Sequence, residues 1–364
     1  MVELGDVEAE AGDAVNRPPA EGTSPKQPLR RPASLPRLPW AAMARLTARR
    51  LLLAVPVLLL VTFGVFAIAA ASPFDPVKAY AGTAAFGADA ETLARLRENL
   101  GVERPFAVRW WEWLTSALGG DLGQSSVLRQ PVAEVIGERL LWSSLLCASA
   151  FVIAITAGTV LGVLAARRPG SPLDRTVTSL AYSLEAAPVF WLALLAVWVF
   201  ALQWGVLPAG GLTDTASEVV TADQVVRHLA LPAGVLAVSQ LPWFTLYVRQ
   251  GVGDALVEDP VRGARARGLS ERTVLLGHAL RSGLLPVLTL VGSRVPELIT
   301  GALLVETVFS WPGIAAATVE AATSVDFPLL AALATLATAA VLAGNLLADL
   351  LYGLFDPRVG FSDM

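Results

Sequence analysis

Six runs of mostly apolar residues set the limits on what this chain can fold into. A bilayer's hydrocarbon core is about 30 Å thick, and about 20 apolar residues in helix cross it. The first run, LLLAVPVLLLVTFGVFAIAAA, covers 51–71. The others extend from Leu141 to Ala166, Thr178 to Gln203, His228 to Arg249, Gly283 to Val305 and Pro328 to Leu354. Backbone polar groups cannot bond to water inside a bilayer, so such runs must close their own hydrogen bonds as helices. The expected fold is all-α, a polytopic membrane protein with six transmembrane helices. Composition agrees: 54% of the residues are hydrophobic and 16% charged, too apolar for a soluble domain.

Pro56, Pro188, Pro232, Pro242 and Pro296 fall inside these runs. Neighbouring membrane helices re-satisfy the carbonyls a proline frees, so the runs are expected to remain helical through them. Orientation follows from arginines near the span ends. Arg45, Arg49 and Arg50 precede the first run, Arg167, Arg168 and Arg175 separate the second from the third, and six arginines lie from Arg249 to Arg281. Segment 307–327 has no lysine or arginine, and 205–227 has only Arg227. The arginine-bearing segments and both termini are therefore expected on the cytoplasmic side, with 73–139 outside.

The chain divides accordingly. Residues 1–45, acidic and then proline-rich, read as a disordered cytoplasmic tail. Residues 46–140 hold the first span and an extracytoplasmic helical segment. Residues 141–358 form the core, with a cytoplasmic loop at 250–282, and 359–364 are a short cytoplasmic tail. The first run lacks a small-residue cleavage site and reads as a span, not a removable signal.

Side chains for catalysis are scarce. There is one cysteine, Cys147, inside a run, and there are two histidines, His228 and His278, without an H-E-x-x-H pair. A membrane enzyme would need a nucleophile or metal constellation that these do not supply. Neither Lys26 nor Lys78 follows a glycine-rich phosphate loop, so ATP-driven work would need another chain for hydrolysis. A secondary transporter, the other rival class, usually shows more spans, inverted repeats or paired broken helices.

DPVRGARARGLSERTVLLGHAL, 259–280, lies between the fourth and fifth runs. Asp259 suits an N-cap, Pro260 the first helical position and Gly268 a helix end, which gives a short helix over Val261 to Arg267. A second helical pattern leads into the fifth run. The short helix presents Arg262, Arg265 and Arg267, and from charge alone these either fix topology or form a docking face.

This stretch resembles the cytoplasmic EAA loop of ABC importer permeases of the dipeptide/oligopeptide/nickel branch, where D-Y-V-R-T-A-R-A-K-G-L-S is typical. Asp259, Val261, Arg262, Ala264, Arg265, Ala266, Gly268, Leu269 and Ser270 match it, while Pro260, Gly263 and Arg267 depart. Further matches follow in order. GGDLGQS at 119–125 resembles G-D-L-G-x-S, HALRSGLLPV at 278–287 resembles H-A-L-R-N-A-L-L-P, and GALLVETVFSWPGI at 301–314 resembles G-x-x-x-V-E-x-V-F-x-x-P-G-x-G. DPRV at 356–359 resembles the closing D-P-R, and ASPFDP departs from P-G-D-P at Phe74.

The resemblance implies the type I ABC importer transmembrane-domain fold in a bacterial inner membrane. It implies a translocation pathway for peptides, or for nickel or another small solute, delivered by an extracytoplasmic solute-binding protein. Two ATPase subunits, which bind ATP and Mg, and a second permease, homologous or identical, would be partners. No cofactor in this chain, no catalytic role and no nucleic acid are implied. The short helix would be a coupling helix in a groove of an ATPase subunit. Asp259 would open it, Arg262 and Arg265 would make charged contacts, Ala264 and Gly268 would allow close approach, and Leu269 would be an anchor.

Outside, DAETLARLRENLG and VRWWEWLTSALG have the spacing of two amphipathic helices. Trp110, Trp111 and Trp113 suit either a membrane-interface belt or contact with a binding protein. Charges inside spans are costly and either line pathways or pair with each other. Arg294 and Glu297, at i and i+3, suit self-pairing or cargo contact. Glu185 has no sequence-local partner and is a pathway candidate. Asn345 and Asp349 suit contacts between helices, and His228 an interfacial position.

Overall fold

The computed structural model describes residues 40–73, 77, 89–99, 101, 103–214 and 220–355. Residues 1–39 of the tail, Phe74 and the DPRV stretch lie outside the described residues. The longer helices are α1 (Trp40–Ala70), α2 (Ala90–Asn99), α3 (Phe106–Leu118), α4 (Val132–Ala166), α5 (Pro172–Ala186) and α6 (Val189–Ala196), which continues as a π-helical turn over Val197–Gln203. After these come α7 (Ala222–Ala255), α8 (Asp259–Ala266), α9 (Glu271–Val274), a π turn at Leu275–Ala279, α10 (Leu280–Gly283), α11 (Leu285–Val308), α12 (Ile314–Ser324) and α13 (Phe327–Phe355). Among the described residues there is no strand, only an isolated antiparallel bridge between Gln124 and Pro131.

Among the described residues, four helices are long and apolar enough to cross a membrane: Met43–Ala70, Val132–Ala166, Ala222–Ala255 and Phe327–Leu350. The pair α5 and α6 with its π turn is apolar enough for a fifth crossing but is bent by 104°, the geometry of a broken span or a re-entrant loop. The sixth expected span corresponds to α11, about 36 Å long at 1.5 Å per residue. It carries Arg294, Glu297 and Glu306 and falls outside that apolar set.

The bend corrects one expectation. Pro56, Pro232, Pro242 and Pro296 lie inside continuous helices, but Pro188 ends one. Ala187 takes an extended conformation, φ −81° and ψ 126°. A proline ring disfavours helical geometry in the residue before it, and here no neighbouring turn restores the ladder. The third run is therefore broken into two helices at Pro188.

Small residues set the closest helix pair. Ala150, Ala154, Gly158, Gly162 and Ala166 recur every four residues along α4 and are buried. A Cβ on Gly158 would sit 2.6 Å from Phe244 Cβ, and one on Gly162 would sit 2.7 Å from the Thr245 carbonyl oxygen. Lipid tails are as apolar as leucine, so this backbone approach to α7 contributes through dispersion and not through exclusion of water. Gly292 and Gly344 fit α11 against α13 in the same way. Asp349 reaches Arg50 of α1 at 2.5 Å, so the contact expected of it is an ion pair between helices.

At the end opposite the arginine-rich loop, α2, α3, α12 and the 119–131 turn form a cap. Trp110 donates from Nε1 to Thr62 Oγ1 (3.1 Å), and Trp113 donates to the Leu122 carbonyl (3.3 Å). These two tryptophans are packing residues, while Trp111 remains 59% exposed. His228 is buried within α7 and bonds the Gly210 carbonyl oxygen (3.0 Å) and Asp214 Oδ1 (3.3 Å).

Candidate functional site

The arginine-rich loop starts and ends at one point. A Cβ on Gly251, near the end of α7, would meet the Gly283 carbonyl oxygen at 2.4 Å. Between these glycines the chain leaves the bundle, forms α8 and returns through α9 and α10 into α11.

The α8 helix begins one residue earlier than the cap assignment predicts. Glu258 is the N-cap, with extended φ −71° and ψ 157° and no side-chain cap bond, and its carbonyl accepts from Val261 (3.2 Å) and Arg262 (3.1 Å). Asp259 is therefore inside the helix, its carboxylate 96% exposed and 3.9 Å from Arg262. Gly268 closes the helix at φ +77°, where the amide of Leu269 donates to Ala264 and that of Gly268 to Arg265, a Schellman pattern.

The helix has two faces. Val261 and Ala264 are buried with Ala255, Val274 and Ala279. Ala264 thus makes its close approach to this chain's own helices. Arg262, Arg267, Gly268 and Leu269 are exposed. Arg265 is engaged within the loop: Nε donates to Glu271 Oε1 at 2.9 Å, Nη2 to Oε2 at 3.2 Å, and Nη1 to the Leu256 carbonyl at 3.1 Å. This fork ties α8 to α9 and to the end of α7, and it holds the Glu271 pKa below its ordinary value. The segment's turn chemistry carries a signal for it, because six residues and a turn place Arg265 and Glu271 on the same side of the hairpin.

Next to the loop, Asp174 of α5 is buried. It accepts from Arg249 Nη2 (2.8 Å) and Nε, from the Gly170 amide (2.8 Å) and from Thr178 Oγ1 (3.4 Å). This joint binds the turn before α5 to α7 just ahead of the loop. Sequence reading passed over it because the partners are far apart in the chain.

Within the membrane-crossing part, Arg294 pairs with Glu297 and lies over the Trp243 ring, its guanidinium carbon 3.8 Å from the centroid. Self-pairing is thus present, with Trp243 of α7 as an added partner. Arg294 is buried while the Glu297 side chain is 55% exposed. Glu185 is exposed on the last turn of α5 beside the Pro188 break, and no hydrogen bond or ion pair reaches it among the described residues.

Two further carboxylates escaped the sequence reading. Glu306 is buried, with Oε1 accepting from Ser143 Oγ (2.5 Å) and Oε2 accepting from the Ala315 amide (2.8 Å) at the start of α12. Asp326 is buried and accepts from Ser125 Oγ (2.7 Å), Val127 N (3.2 Å) and Leu329 N (3.3 Å). Glu306 lies in the 301–314 motif and Asp326 holds Ser125 of the 119–125 motif, and both are joints of the cap.

A family model described as a binding-protein-dependent transport system inner membrane component matches residues 158–361. The chain belongs to this family. Its companion, the N-terminal part of such membrane components, matches residues 43–140 of the same permease. The oligopeptide transport system permease protein AppB of Bacillus subtilis (strain 168) is 36% identical over 320 residues, covering 88% of this permease and 100% of the relative. The dipeptide transport system permease protein DppB of Escherichia coli (strain K12) is 33% identical over 337 residues, 87% of this chain and 99% of the relative. A solved structure described as an amino acid ABC transporter with histidines is similar at TM-score 0.45 and 15% identity, covering 62% of this chain and 95% of its own. The permease is a multi-pass inner-membrane subunit of a transport system that includes other subunits.

Proposed function

We propose that this permease forms the translocation pathway of an ABC importer that takes up peptides. A solute-binding protein would deliver the cargo outside, and two ATPase subunits would drive uptake from the cytoplasm. The observation that carries the reading is the arginine-rich loop with joined ends, which holds α8 out from the bundle while its feet are continuous with α7 and α11. A short helix with exposed Arg262, Arg267 and Leu269 suits docking in a groove of another chain. Closure of the ATPases would then shift both feet between two arrangements of the spans. The names of the relatives support peptides as cargo. The unpaired Glu185 beside a broken span suits a pathway-facing acid, with Arg294 and Glu297 deeper in the same bundle.

The arginine distribution supports placing the loop and both termini in the cytoplasm. A second permease of similar fold, and six crossings counting α11, complete the assembly proposed.

The test is reconstitution of this chain with its ATPases, second permease and binding protein in liposomes. Arg262→Glu should stop peptide uptake while insertion and assembly persist, because an exposed charge adds no bilayer cost. Normal uptake by that variant would overturn the coupling role.

A further inference from the structure

A cavity of about 360 Å³ opens in the cap, at the end opposite the arginine-rich loop, and no role assigned above uses it. Phe66 of α1, Glu98 of α2, Arg109 and Trp113 of α3, Asp121 and Phe327 of α13 all contribute to its lining. The volume falls in the range of small-molecule sites, roughly 300–1,000 Å³.

The Arg109 guanidinium carbon lies 3.5 Å from the centroid of the Phe327 ring. Stacking occupies a face of the guanidinium and leaves its in-plane N–H groups for an acceptor. Among the described residues no carboxylate or carbonyl accepts from them. Arg104, on the same rim, is committed to both oxygens of Glu112 at 3.1 and 3.2 Å. Burial holds the Arg109 pKa below its ordinary value, although nearby Glu112 opposes that shift. A cation with incomplete solvation and no hydrogen-bond acceptor among the described residues is suited to an incoming carboxylate.

Charge of the other sign borders the same space. Glu98 and Asp121 have no cationic partner among the described residues, and Asp121 Oδ1 accepts only the Gly123 amide, at 2.9 Å. The wall between α12 and α13 is fixed in advance. Val325 sits at φ +54°, a left-handed conformation that costs on the order of 1–3 kcal/mol for a side-chain-bearing residue. The Asp326 bonds to Ser125, Val127 and Leu329 hold it there.

We propose that this cavity binds a small zwitterion, an amino acid or short peptide with free termini, with Arg109 taking the carboxylate and Glu98 and Asp121 facing the ammonium. The site is separate from the pathway through the spans, and its test does not require transport.

The full-length chain in nanodiscs would be titrated by calorimetry with trialanine, acetyl-trialanine, trialanine amide and the doubly capped peptide. Trialanine should bind saturably and tightest, and the doubly capped peptide about tenfold weaker or more, the loss expected for removed charge-assisted hydrogen bonds. Arg109→Gln should weaken trialanine and acetyl-trialanine while sparing the amide, and Glu98→Gln should weaken trialanine and the amide while sparing acetyl-trialanine. The four-peptide series on the unaltered chain decides the matter even if a variant fails to fold. No saturable binding by trialanine, or equal affinity for the doubly capped peptide, would overturn the site.

Discussion

Gly251 and Gly283 touch backbone to backbone, and that contact joins the two ends of the loop between them. A Cβ on Gly283 would lie 2.8 Å from the Gly251 carbonyl carbon and 2.8 Å from Val252 Cα. Neither residue has room for a side chain. In the proposed coupling role, a displacement of α8 would be delivered at one crossing to the end of α7 and the start of α11.

Gly251→Ala and Gly283→Ala should each force the crossing apart. Overpacking of this kind costs typically about 1–3 kcal/mol, and it should lower the melting temperature and the peptide uptake per ATP hydrolysed. Gly253→Ala is the control, since nothing lies within 4 Å of its added Cβ. Equal behaviour of Gly251→Ala and Gly253→Ala, in melting and in uptake, would show that the crossing carries no load.

The elements were legible in the sequence where periodicity and end signals are local. α2, α3, α8 and the four long apolar helices follow from run length, apolar spacing and, for α2 and α8, Gly101 and Gly268 after the ends. The break at Pro188 was not legible, because proline kinks and proline breaks share one signature and only the extended backbone at Ala187 distinguishes them. The charged partners were legible only at short range. Arg294 with Glu297 stands three apart, whereas Asp174 with Arg249, Ser125 with Asp326 and Arg50 with Asp349 join distant segments and leave no spacing to read. The exposed face of α8 was named, but its inner face, with Ala264 at its centre, emerges only when α9 folds back over it.

The loop should be sensitive to acid. Glu271 has its pKa lowered by the Arg265 hydrogen bonds, so its contribution is present above the ordinary carboxylate value and is lost as pH falls through the lowered one. Hydrogen exchange across 256–275, corrected for intrinsic rates, should be flat from neutral pH down to the ordinary glutamate range and rise below it. Glu271→Gln should exchange fast at neutral pH and lose the step. An identical profile in the variant would remove Glu271 from the account.

The cap should depend on Asp326. Asp326→Ala strands the donors of Ser125, Val127 and Leu329, and unsatisfied buried polar groups cost about 1–3 kcal/mol each where water cannot reach. Ser125→Ala leaves Val127 on the carboxylate and should cost about 1 kcal/mol. Thermal melts should rank the two in that order. Equal midpoints would mean that the joint is solvated.

Glu185 has a testable preference. If its carboxylate faces the pathway, Glu185→Gln should slow uptake of basic peptides by about two- to fivefold, the size of a screened charge contact of roughly 0.5–1 kcal/mol. Neutral peptides should be little affected, and capture by the binding protein should not change. Equal losses for both cargo types would make the acid structural.

In the proposed assembly the exposed face of α8 docks on an ATPase subunit. Photo-crosslinking from single positions in the assembled, transport-competent complex tests it most directly. A crosslinker at Arg262 or Leu269 should capture the ATPase chain, and one at buried Ala264 should capture only this permease. Capture of the ATPase from none of these positions, in a complex that still transports, would contradict the account.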